Sequence, residues 1–207
     1  MTRLMDPDAI YRQSFATIRG EVDLSGLPAA VRPLALRLIH ACGMTDILAD
    51  LVIDAGLPEA VRAGLAAGAP ILADCEMVKA AISRRFLPAG AAVTCTLNAP
   101  AAAAIGKANT ITRSAAAVDL WRPHLAGAVV VIGNAPTALF ALIDLIDAGG
   151  PRPAAIIAFP VGFVGAVESK AELAANPRAI PIATLKGRRG GSAMAAACFN
   201  AIFARQP

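Results

Sequence analysis

The sequence predicts an α/β fold: a three-layer α/β/α arrangement with a mainly parallel sheet and an N-terminal helical addition. Three observations carry this expectation. Four times, an apolar run is followed by a turn-forming break and then by a helix-like pattern. The runs are continuously apolar rather than alternating, which marks strands buried on both faces. Strands that alternate with helices imply right-handed crossovers and hence a parallel sheet. An alanine-rich composition with only 4% aromatic residues also suits helices packed closely on a sheet.

The elements follow in order. Residues 7–18 and 28–41 read as helices, with Gly43 as C-cap of the second. In "APILADCEMVKAAIS" a short strand ends near Ala73 and a helix starts at Asp74, a suitable N-cap. In "GAVVVIGNAPTALFALIDLIDAGG" residues 129–132 form a β-branched strand, Asn134 caps a helix with Pro136 in its first turn, and Gly149 and Gly150 stop it. "PAAIIAFPVGFVGAVESKAELAANP" repeats the theme with a strand at 155–159 and a helix ending before Pro177. "IPIATLKGRRGGSAMAAACFNAIFA" repeats it once more.

A chain of 207 residues suits one domain, 1–207, with a sizeable core, and no linker or long-period repeat divides it. At 57% hydrophobic and 16% charged it lies far from disorder. The net charge of +4 is mild, and its short basic clusters form no stripe, so nucleic acid is not an expected partner. Cys42, Cys75, Cys95 and Cys198 lie far apart without a C-x-x-C pair, and the two histidines are also distant, so no metal site is expected. "MTRLMDPDAIYR" has no apolar h-region, which makes the expected location cytoplasmic. Residues 125–143 lack charge over nearly a membrane-spanning length, but Gly133, Asn134, Pro136 and Thr137 interrupt them, so no membrane span is expected.

In open α/β sheets ligands bind where the carboxyl ends of the strands feed loops. Those loops are "GNAPT", "FPVGFVG" and "LKGRRGGS". No G-x-G-x-x-G or G-x-x-x-x-G-K-[ST] follows a strand, which disfavours a nucleotide-dependent enzyme. Gly187, Gly190 and Gly191 open a helix beside Arg188 and Arg189, a pattern shared by anion sites and ordinary glycine turns. Glu168 and Lys170 read as solvated helix charges, as do Asp144 and Asp147, and His124 as an exposed helix-end residue. His40 falls in the last turn of its helix with Arg37 one turn earlier on the same face. On residues alone two readings of His40 stay open: a core histidine bonded to a carbonyl, or a proton donor near neutral pH.

Five blocks together resemble the precorrin-8X methylmutase family of cobalamin biosynthesis: "RLIHACG" at 37–43, "TRSAAA" at 112–117, "VVVIGNAPTAL" at 129–139, "PVGFVGAVESK" at 160–170 and "KGRRGGSAMAAA" at 186–197. The likeness runs nearly end to end and in family order. It implies an isomerase that moves a methyl group from C-11 to C-12 of a tetrapyrrole, turning precorrin-8X into hydrogenobyrinate without a cofactor. It places the proton donor and acceptor on His40 and substrate contacts on Ser14, Arg37 and Arg113. Ser83 stands where members often have threonine, and Met44 where they often have an acidic residue. Gly187, Arg188, Gly190 and Gly191 become candidate partners for the substrate's carboxylates. The resemblance also implies a homodimer with the site near the subunit contact. A cobalt-containing substrate and a corrinoid carrier without catalysis are the alternatives, and His40 argues against the carrier.

Overall fold

The computed structural model describes residues 3–204. Met1, Thr2 and residues 205–207, which belong to the expected 1–207 domain, lie outside the described residues. The sheet has six strands: β1 (Leu51–Ile53), β2 (Ile71–Ala73), β3 (Val93–Cys95), β4 (Val129–Ile132), β5 (Ala155–Ala158) and β6 (Ile182–Leu185), in the order β1-β6-β5-β4-β2-β3. All neighbours are parallel except β1, which runs antiparallel to β6. The chain winds from β2 to β3 on one side, then returns to β4, β5 and β6 on the other. A switch point therefore lies between β2 and β4.

Alternate residues of each buried strand feed two cores. Ile71, Ala73, Val129, Val131 and Ile157 face α1 (Pro7–Glu21), α2 (Arg32–Cys42), α3 (Leu57–Ala66), α4 (Glu76–Ala81) and α9 (Ser192–Ala201). Leu72, Val130, Ile132 and Ile156 face α6 (Arg113–Asp119), α7 (Pro136–Asp147) and α8 (Ala166–Ala175). A further helix, α5 (Pro100–Asn109), packs on α6. The three-layer α/β/α fold is thus as expected, and the four expected strands are β2, β4, β5 and β6. Two edge strands, β1 and β3, are additional. Each has three residues, too few to show a pattern, and short edge strands also limit unwanted pairing.

The N-terminal helical addition is present. Asp6 caps α1 by accepting the Ala9 N–H at 2.6 Å, with Pro7 in the first turn. The second helix starts later than expected: Ala29–Val31 form a 3-10 turn, and α2 begins beside Pro33, whose missing N–H suits a helix start. Gly43 ends it in the left-handed region at φ 68°, donating to the Ile39 carbonyl.

The switch point departs from expectation. Asp74 does not cap α4, whose N-cap is Cys75, and Asn134 does not cap α7, whose N-cap is Ala135. Instead the Asp74 carboxylate crosses to β4 and accepts the N–H groups of Gly133, Asn134 and Ala135 at 2.9, 2.9 and 2.8 Å. Burial pushes the Asp74 carboxyl up, and the three amides pull it back only in part. The crevice is also packed shut, since a Cβ on Gly133 would lie 2.7 Å from both Ser192 Cα and Val78 Cγ2. The position where doubly wound sheets admit a ligand is filled by the chain itself.

Asp74→Ala leaves three amides at the start of α7 without an acceptor and is expected to cost about 3 kcal/mol. Urea unfolding measures it, and Asp74→Asn, which retains one acceptor oxygen, should lose less.

Candidate functional site

Helix α1 presents Tyr11, Ser14, Phe15 and Ile18 at spacings of three and four, so all four lie on one face. Phe15 and Ile18 bury against the first core. Ser14 and Tyr11 stand at its rim and meet the last turn of α2. Ser14 Oγ is 2.8 Å from His40 Nδ1. The imidazole stacks on Phe15, with centroids 4.8 Å apart and planes at 22°, and Tyr11 meets it edge-on at 5.7 Å. The Arg37 guanidinium lies 5.7 Å from both the Tyr11 and Phe15 ring centroids.

This removes one of the two readings of His40, the core histidine bonded to a carbonyl. It is exposed, and it bonds a serine hydroxyl rather than a carbonyl. Nε2 has no partner among the described residues, and His40 lines an open groove of about 550 Å³ shared with Ile10, Ser14, Ile18 and Thr45. A hydroxyl can donate to Nδ1 or accept from it by rotating, so Ser14 serves the imidazole in either protonation state. A second groove of about 570 Å³ is lined by Tyr11, Arg37, Arg85 and Phe86.

Ser14, Arg37 and His40 are therefore brought together as the sequence led one to expect. Ser83 is adjacent rather than inside: its N–H donates to Asn200 Oδ1 at 2.9 Å, just before the 3-10 turn that carries Arg85 and Phe86. Tyr11 and Phe15 escaped the sequence reading, although their spacing from Ser14 was visible. Arg113 is exposed at the start of α6, in the opposite layer. Its neighbour Thr112 caps α6 and donates to Thr137 Oγ1 in the first turn of α7 at 2.8 Å, so Arg113 belongs to the carboxyl edge of the sheet.

The Gly-Arg loop also stands on that edge. Gly190 passes so close to the preceding crossover that a Cβ would lie 2.2 Å from the Phe159 carbonyl oxygen, and Gly191 donates to that same oxygen at 2.7 Å. The two arginines diverge. Arg188 is exposed, its guanidinium 5.3 Å from the Phe163 ring centroid, and Phe163 is itself 85% exposed. Arg189 turns back to Asp46 at 2.7 Å and Asp50 at 3.8 Å. These acids follow α2, so Arg189 ties the loop to the segment after His40.

Lys170 contradicts the expectation of a solvated charge. It is fully buried, and its ammonium donates to the Arg189 carbonyl. Burial pushes it down to about 8, with Asp50 acting the other way. Asp147 is also more than a solvated charge, since it pairs with Arg178 at 2.7 Å, whereas Glu168, Asp144 and His124 are exposed as expected. The four cysteines are free thiols, and no group of three or more metal-binding side chains forms among the described residues. No described helix is long and apolar enough to cross a membrane.

The fold and this arrangement define a doubly wound α/β protein with an exposed, ring-packed histidine on its helical addition, outside the sheet's switch point. The sequence model of precorrin-8X methylmutase matches residues 9–205, and the chain belongs to that family, isomerases of cobalamin biosynthesis. It is 56% identical to a precorrin-8X methylmutase from Pseudomonas aeruginosa, over 96% of each chain, and 50% identical to one from Sinorhizobium, over 96% of this chain and 95% of the other. A cobalt-precorrin-8 methylmutase from Methanothermobacter thermautotrophicus is 34% identical over 94% of this chain and 91% of its own. Among solved structures, a precorrin-8X methylmutase from Thermus thermophilus superposes with a TM-score of 0.82 at 34% identity, covering 95% and 94% of the two chains.

Lys170 gives a pH prediction. Its ordinary value of 10.5 falls to about 8 on folding, so between those values the unfolded chain holds the extra proton and stability rises with pH. The destabilisation is fully present below about 8. The buried thiols work in the opposite direction above their ordinary 9.0, because folding pushes Cys95 up to about 11 and Cys198 further. Comparing wild type with Lys170→Met cancels them. Wild-type stability relative to the variant should climb from about pH 8 to about pH 10 by urea midpoints, and a flat difference would refute the assignment.

Proposed function

We propose that this chain moves the methyl group of precorrin-8X from C-11 to C-12, giving hydrogenobyrinate, with His40 as proton donor and acceptor. The bond from the methyl to C-11 breaks and the bond to C-12 forms, so substrate and product are isomers and no oxidant or reductant is required. His40 Nε2 gives a proton or hydrogen bond to the macrocycle while charge develops, then recovers it. The observation that carries the reading is the bond between Ser14 and Nδ1, which leaves Nε2 at the groove. A positioned acid of this kind supplies about a hundred- to ten-thousand-fold. Fixing the ring system against it supplies the remainder.

Arg37 and Arg85 in one groove, and Arg113 and Arg188 at the carboxyl edge, are the proposed partners of the substrate's carboxylates. The metal-free substrate is favoured because the relatives at 50–56% identity are named precorrin-8X methylmutases, whereas the cobalt-precorrin-8 enzymes stand at 30–35%. The proposal includes a cytoplasmic homodimer, with the second copy bordering the cleft.

Absorbance spectra of wild type and His40→Ala with precorrin-8X test the reading. Wild type should produce the hydrogenobyrinate spectrum, and His40→Ala or His40→Asn should lose about a hundredfold or more in turnover while still binding product. Full activity of these variants would sink the proton-transfer role. A bound but unchanged spectrum with wild type would favour the carrier, or a cobalt-containing substrate to be tried next. Ser14→Ala and Arg37→Ala should each weaken hydrogenobyrinate binding about tenfold, read by titration. Unchanged affinity in both would remove them from the site.

A further inference from the structure

The Gly-Arg loop is held by an unusual device. Residues 186–191 leave β6 at the rim of the sheet and must reach α9 by passing against Phe159 and Pro160, where Gly190 has no room for a side chain. That path turns the Arg189 carbonyl inward. A carbonyl turned inward without a donor is costly, and no backbone N–H among the described residues donates to this one. The donor comes from α8, where Lys170 extends a fully buried side chain to that oxygen.

The loop is otherwise fastened at its two ends. Lys186 N–H donates to the Asp50 carbonyl at 2.9 Å, and Gly191 N–H to Phe159 at 2.7 Å. Gly162 N–H reaches the Arg188 carbonyl at 3.2 Å, which links the loop to the exposed Phe163 segment. Between these ends the Arg189 guanidinium reaches Asp46 and Asp50, and Lys170 holds the backbone itself, at the peptide between Arg189 and Gly190. Asp50 lies within electrostatic reach of Lys170 and 3.8 Å from the Arg189 guanidinium, so the same acid steadies both cations.

A buried ammonium is an expensive way to satisfy one carbonyl if fold stability is all that is served. What it fixes is a peptide at the rim, next to a solvent-facing arginine and an exposed aromatic ring. We propose that Lys170 is a positioning residue for substrate binding: it fixes the Arg189 peptide and thereby sets Arg188 and the loop's glycine backbone against the carboxylates of the tetrapyrrole. The inference rests on the function proposed above. Lys170 touches no substrate and takes no part in proton transfer, so it acts on affinity and not on the reactivity of His40.

The test compares wild type, Lys170→Met and Lys170→Gln in the full-length protein. Amide hydrogen exchange over residues 186–191 is read first, without ligand. Lys170→Met should lose about tenfold in protection there, with the sheet strands unchanged. Hydrogenobyrinate titration should then show affinity lowered about tenfold, and KM for precorrin-8X raised similarly, while kcat and its pH profile stay within about threefold of wild type. Lys170→Gln, which keeps a shorter donor, should fall between. Unaltered loop exchange, unaltered affinity beside a binding wild type, or a kcat loss without a KM change would each overturn the role. Failure of both variants to fold would also overturn it, assigning Lys170 to stability alone. If wild type itself neither binds nor converts the tetrapyrrole, the functional reading fails separately, and exchange still decides whether Lys170 holds the loop.

Discussion

The carboxylate of Asp74 bridges the ends of β2 and β4, and the arrangement of the sheet's switch point follows from that bridge. In a doubly wound sheet the gap between these strands is where amides at a helix start face an incoming ligand. Here the amides of Gly133, Asn134 and Ala135 face Asp74 instead. Desolvating the carboxylate is offset in part by three hydrogen bonds and by the positive end of α7. Val78 and Ser192 are pressed against Gly133 so closely that it has no room for a side chain. The lack of a phosphate-binding motif agrees with amides whose acceptor is already supplied by the chain.

His40, the residue proposed to carry the reaction, sits on the helical addition. Helix α9, whose first residue helps to close the switch point, also forms the bed on which α2 lies. The left-handed turn at Gly43 ends α2 one turn after His40 and leaves the imidazole at an exposed helix end. Rings from α1 hold it on two sides, and the Ser14 hydroxyl fixes Nδ1. Under the reading proposed above, the packed ring and the one committed nitrogen orient the other nitrogen toward the groove for proton delivery.

How much of this was legible depended on how local each cause was. Strands β2, β4, β5 and β6 announced themselves because they are buried on both faces and bounded by Gly and Pro. Strands β1 and β3 did not, since three residues carry no period and their pairing is set by distant partners. Asp74 and Asn134 looked like helix caps because capping is a local rule, yet the acceptor for α7 comes from about sixty residues earlier in the chain. Lys170 looked solvated because lysine usually is, and the Arg189 carbonyl that draws it inward exists only once the loop has passed Gly190. His40, Arg37 and Ser14 were legible through family resemblance, and the helical spacing of Tyr11, Ser14 and Phe15 supplied an unused clue to what surrounds the ring.

Arg188 and Arg189 show how the carboxyl-edge loop is joined to the segment after His40. Side by side in sequence, they point in opposite senses, one to solvent over Phe163 and the other back to Asp46 and Asp50. Arg189 therefore fastens the carboxyl-edge loop to the segment that continues from His40, and Arg188 inherits a defined position relative to that histidine. A substrate with many carboxylates on flexible arms loses much conformational freedom when bound, and anchors that are themselves mobile would add to that loss. Fixing Arg188 beforehand removes part of the cost. Under the reading proposed here, one histidine supplies a modest factor, and the larger share of the rate comes from anchors held in register with it, which is why buried charge is tolerated beneath a surface loop.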